Sequence, residues 1–148
     1  MTAPSQAQLD DLLATSLGDS KKRLEDTGAC PPHAHFIGPD GAVLALDLEG
    51  ADMAHAAPEY AALETMLKDL AEKGDALAST IGEAMEVHYE GESGLVDAIV
   101  TALRLPGRAE DHVTPFVAQE TGLLRTHIRV DLLETSVKPA RENGIFEE

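Results

Sequence analysis

Residues 84–90 read AMEVHYE, residues 91–94 GESG, and Leu95–Leu105 LVDAIVTALRL, and how this stretch folds decides the architecture. In the first part Met85, Val87 and Tyr89 alternate with Glu86, His88 and Glu90, the two-residue period of a half-buried strand. The two glycines of GESG suit a hairpin connection that needs positive φ. The last part is rich in β-branched residues, and an extended backbone puts Leu95, Asp97, Ile99, Thr101, Leu103 and Leu105 on one face. A helix competes, because Leu95, Val96, Ile99, Val100 and Leu103 also recur at helical spacing. The glycines before the segment and Pro106-Gly107 after it punctuate it as the second arm of a hairpin. The pair is therefore read as two strands at the centre of a sheet.

Toward the N-terminus, residues 75–82 lead into this pair, with Gly82 permitting a bulge. Before them a helix starts with Pro58 in its first turn, carries Tyr60, Leu63, Met66, Leu67 and Leu70 as one apolar stripe, and closes at Lys73-Gly74. His33–Ile37 and residues 42–49 flank Gly38-Pro39-Asp40-Gly41, a turn composition that predicts a hairpin with Leu44, Leu46 and Leu48 facing the core. A first helix over residues 6–26 begins in a capping box, Ser5 to Gln8. It carries Leu9, Leu12, Leu13, Leu17 and Leu24, is weakened at Gly18, and stops at Thr27-Gly28.

Toward the C-terminus, residues 106–111 read as a polar turn and residues 113–119 as a short strand interrupted by Pro115, suited to an edge or bulge. Residues 123–134 alternate, with Leu124, Thr126, Ile128, Val130 and Leu132 on one side and Arg125, His127, Arg129 and Asp131 on the other. Residues 137–148 read as an irregular tail in which Ile145-Phe146 docks on the body. The sum is one α+β domain over residues 1–148, loose over 1–4. Its two helices are expected to pack on one face of an antiparallel sheet of about five or six strands. In order along the chain, Asp97-Ala98-Ile99, Pro115-Phe116 and Ile145-Phe146 resemble small bacterial α+β proteins of unassigned function, over roughly the C-terminal half. Leu103-Arg104 departs from that pattern, which has an acidic residue there. The resemblance implies a fold and carries no activity.

A net charge of −16, from 27 acidic and 11 basic side chains, excludes non-specific nucleic-acid binding and disfavours anionic membranes, since phosphates would be repelled. The single cysteine, Cys30, allows no intrachain disulfide and points to a reducing cytoplasm. The first thirty residues show no secretion signal, and no apolar run is long enough to span a bilayer.

Cys30, His33 and His35 are the most chemical-looking group. Two histidines two apart on a strand project from one face and can chelate a metal, with His55 or His88 to complete a site, although strand histidines ordinarily face solvent. Glu83, Glu86, Glu90, Glu92 and Asp97 gather about the central hairpin as the wet face of a strand and turn. Asp97 is the exception by parity, and burial there calls for an ion pair with Arg125 or Arg129. Arg125, His127 and Arg129 form a basic row able to hold an anionic ligand or to pair across the sheet. No phosphate loop, nucleophile elbow or cofactor motif is present, so no cofactor is expected. The reading that follows is a non-enzymatic cytoplasmic accessory or protein-binding module, engaging a protein partner or another copy of itself. The alternative is a small-molecule or enzymatic site in a concave sheet face, built from Asp97, His88, Arg125 and His127.

Overall fold

The computed structural model describes residues 3–46, 59–88, 94–121, 127–140 and 145–146, and every structural statement below concerns these. The capping box forms as expected: the Gln8 N–H donates to Ser5 Oγ at 3.1 Å and the Ser5 N–H donates to Gln8 Oε1 at 2.8 Å. Helix α1 (Gln6–Thr27) then runs unbroken through Gly18 and stops at Gly28, which adopts φ 79° and donates its N–H to Leu24 O. Strands β1 (His33–Ile37) and β2 (Val43–Leu46) make the expected hairpin, and helix α2 (Glu59–Glu72) follows. The remaining chain is β3 (Ala78–His88), β4 (Leu95–Leu105), β5 (Arg108–Thr121), β6 (His127–Leu132) and β7 (Ser136–Pro139). All neighbours are antiparallel, in the order β2-β1-β3-β4-β5-β6 with β7 also on β5.

Leu95–Leu105 is a strand, and β3 pairs with it in unbroken register from Ser79 opposite Arg104 to His88 opposite Leu95. That pair is the middle of the sheet, as the alternation of Met85 and Val87 implies. The α+β class, the two helices and the antiparallel sheet agree with the sequence, with seven strands in place of five or six.

The helices divide between the two sheet faces instead of sharing the one expected, because both sides of β1 are apolar or covered. His33, His35 and Ile37 of β1 point toward α1, where Ile37 packs with Leu9, Leu12, Ala78, Leu103 and Leu105. The intervening Ala34 and Phe36 pack with Leu63 and Leu67 of α2 on the other side. A strand buried on both faces has no polar side to show, so all five β1 residues are buried. Further along the α1 face, Leu24, Cys30, Ile99 and Val130 form a third apolar group. Ile145 and Phe146 dock on the α2 side as expected.

Four local expectations give way. Gly82 makes no bulge, because it pairs in register with both His33 and Thr101. The turn after β4 is only Pro106-Gly107, since Gly107 takes φ 75° and lets β5 begin at Arg108. Leu44 is exposed on edge strand β2, while Leu46 packs against the α2 core. Ser136–Pro139, within the expected irregular tail, is a strand. Pro58, Leu48, Tyr89, Glu90 and the GESG turn through Ser93 lie outside the described residues.

Pro115 marks where the sheet divides. Up to the pair Ala98–Pro115, β5 lies against β4; from Phe116 onward it pairs with β6. Pro115 has no N–H to donate, and its carbonyl instead accepts from the Leu133 N–H at 2.8 Å. Residues 95–97 of β4 consequently pair with β3 alone, and residues 116–121 with β6 alone.

Candidate functional site

Two features of the α1 face carry chemistry. The first lies under α1 itself. Ser16 and Ser20, both fully buried, are small residues one turn apart that let the helix approach β1 and β3 closely. This approach covers His33 and His35, which are 5 % and 4 % exposed rather than facing solvent. Asp19, beside Ser20, places Oδ2 3.6 Å from His33 Nδ1 and 3.3 Å from His35 Nε2. Ser20 Oγ lies 2.6 Å from His33 Nε2, where either group can donate according to tautomer. The Arg23 Nε–H donates to Asp19 Oδ1 at 3.1 Å. The imidazoles meet edge to face, with centroids 5.5 Å apart. Gly82 makes room for this packing, because a Cβ there would stand 3.0 Å from both His33 Nε2 and Ser20 Oγ.

Burial sets the charge of this group. Desolvation, reinforced by Arg23 and His35 and opposed by Asp19, lowers His33 to about 4. His35 is also lowered by burial, against the pull of Asp19. Both rings are therefore neutral near pH 7, and their contacts with Asp19 are not ion pairs there. Neither Nδ1 has a hydrogen-bond partner, and both are buried. Burial pushes the Cys30 thiol up, with Ser20 and Arg23 partly offsetting it, so Cys30 is a protonated core residue.

The second feature is the groove opened where β4 and β5 part. It encloses about 650 Å³ and is lined by Leu24, Cys30, Ala84, Phe116, Ala118 and Ile128, with Glu86 and Asp97 at its polar side. Glu86 and Asp97 are both exposed and stand directly opposite each other across β3 and β4. Like charges so placed repel, and among the described residues neither has a cationic partner. A basin of about 720 Å³ on the α2 face differs, because its Arg104 and Asp111 already pair at 3.1 Å.

The residues singled out by sequence are only partly gathered. Asp97 is exposed at the groove and not a buried ion-pair member. His88 is exposed at the end of β3, opposite Leu95, and does not line the groove. Arg129 pairs with Asp131 of its own strand at 3.1 Å, both side chains well exposed. His127 begins β6 opposite Thr121, its side chain outside the described set; Arg125, His55, Glu90 and Glu92 lie outside it altogether. Glu83 is partly buried, which raises its pKa. Asp19 and Ser20, which the sequence does not single out, are brought to the histidines by the docking of α1.

No helix among the described residues is long and apolar enough to cross a membrane. No family model, curated protein or solved structure matches the chain.

Proposed function

We propose that the protein is a non-enzymatic binding module whose groove between β4 and β5 takes an extended segment of a protein partner. That segment adds as a strand and presents both apolar and basic side chains to the α1 face, on which the apolar wall and the two carboxylates lie together. The observation behind this reading is the divided sheet: residues 95–97 and 116–121 each present a ladder edge without a strand partner among the described residues. Such edges are templates for strand addition, in which main-chain hydrogen bonds give affinity and alternate side-chain pockets give specificity. Leu24, Phe116 and Ile128 form the apolar wall, and the opposed Glu86 and Asp97 ask for Lys or Arg. A second copy of this chain is the poorer occupant, since two bodies of net charge −16 repel. A cytoplasmic accessory role belongs to the same proposal, supported by the single cysteine, Cys30, which is free.

Calorimetric titration with a synthetic valine–lysine peptide, in which valine and lysine alternate at every second position with serine between them so that both share one strand face, tests it. Binding should be saturable, weakened several-fold by Glu86→Lys, and unchanged by Asp69→Lys, which alters net charge equally on the distant α2. A peptide N-methylated at alternate amides should bind poorly. Equal loss from both substitutions, or equal binding of a valine–glutamate peptide, would refute the reading.

A further inference from the structure

The buried group beneath α1 has a chemistry that the groove does not use. It sets a carboxylate oxygen and two imidazole nitrogens around one point. His33 Nδ1, fully buried and without a hydrogen-bond partner, faces Asp19 Oδ2. If Nε2 carries the proton it donates to Ser20 Oγ, and the Nδ1 lone pair then confronts carboxylate lone pairs. Arg23 pairs with the other carboxylate oxygen, Oδ1, and in this tautomer a cation between Nδ1 and Oδ2 relieves the contact.

We propose that Asp19 Oδ2, His33 Nδ1 and His35 Nε2 form a zinc-class divalent metal site that clamps α1 onto β1. The three donor atoms lie within 4.8 Å of one another, the one such group among the described residues. Tetrahedral zinc with bonds of about 2.0–2.1 Å sets its donors about 3.4 Å apart. Asp19 Oδ2 already stands 3.6 Å and 3.3 Å from the two nitrogens. Imidazole nitrogen with one carboxylate suits zinc, cobalt or nickel better than calcium or magnesium, which prefer all-oxygen shells.

Two of the three ligands also have an orienting partner, as metal ligands commonly do. Ser20 Oγ fixes His33 through Nε2, and Arg23 holds the other Asp19 oxygen. Of the three ligands Asp19, 30 % exposed at its side chain, is the one that reaches solvent, and water completes the shell from that side. With both imidazoles buried there is little room for a substrate, so the site is structural. It joins residues of α1 to β1, and its occupancy couples the helix to the sheet.

The test uses the full chain, freed of metal by chelator and titrated with zinc alone, with stoichiometry read by elemental analysis and stability by thermal unfolding. The expected result is one zinc per chain and a melting temperature raised by several degrees. Cobalt in place of zinc should show tetrahedral visible absorption without thiolate charge-transfer bands, since Cys30 is not a ligand. Asp19→Asn keeps the shape of a partly exposed side chain and should lower affinity at least tenfold; His35→Gln should do the same. Circular dichroism confirms that each variant is folded, and Asp69→Asn serves as a surface control for an acidic chain that attracts cations generally. Absence of stoichiometric uptake by the wild type would overturn the site. So would wild-type affinity in both ligand variants, which would place the ion elsewhere.

Discussion

Replacing Gly82 with alanine separates two effects that usually travel together. Gly82 has no positive φ, so alanine fits its backbone, and restricting the unfolded chain alone would stabilise by about 0.4–1 kcal/mol. The side chain has nowhere to go, however. A Cβ would lie 3.0 Å from His33 Nε2 and from Ser20 Oγ, and 3.2 Å from His33 Cε1, inside a fully buried contact between β1, β3 and α1. Overpacking of this kind costs about 1–3 kcal/mol, and moving either atom breaks the 2.6 Å bond between them. The net expectation for Gly82→Ala is destabilisation by about 1–2 kcal/mol. Gly18→Ala is the internal control: it changes the unfolded chain in the same way, sits in the exposed middle of α1, and meets nothing within 4 Å. There alanine should stabilise by about 0.5–1 kcal/mol. Urea unfolding of both variants gives the comparison, as opposite shifts in midpoint at unchanged slope. A Gly82→Ala protein as stable as wild type, or more so, would refute the packing of His33 against Ser20.

Stability of the metal-free protein should depend on pH through His33. Its folded value of about 4 lies below the ordinary 6.5, so its contribution is complete above pH 6.5 and is lost as pH falls toward 4, by roughly 3 kcal/mol at most. Nuclear magnetic resonance titration of the ring reads this directly, and a midpoint near 6.5 would contradict it. Phe146→Ala should cost about 3–5 kcal/mol in urea unfolding, because Phe146 is buried with Leu63 and Leu67 although it lies near the chain's end. An unchanged midpoint would mean that the tail does not dock. Ser5→Ala should cost about 1 kcal/mol, seen as a lower melting temperature, through loss of the acceptor for the Gln8 N–H.

What could be seen in the sequence was what local chemistry dictates. The two-residue alternation through Met85 and Val87 marks β3, and flanking Gly and Pro mark β4 as a strand. Ser5, Gln8 and Gly28 mark both ends of α1. What depends on one element lying over another was not legible. His33 and His35 carry the spacing of exposed strand residues, and only the coverage by α1 buries them. Asp19 joins them from a different element, with no local signal beyond Ser16 and Ser20, small residues one turn apart on an otherwise leucine-striped helix. Gly82 carries only the local signal of a bulge, since the need for space beside His33 exists only in three dimensions. Pro115 was read as an edge or bulge signal; its consequence, the parting of β4 from β5, depends on which strands flank it.

The groove is tested most directly by mapping backbone amide shifts while the valine–lysine peptide is added. The account predicts that perturbations concentrate at residues 84–86, 95–97 and 116–118, with cross-strand nuclear Overhauser contacts from the peptide to one of the two open edges. Shifts spread evenly over the acidic surface, or centred on α2, would contradict it.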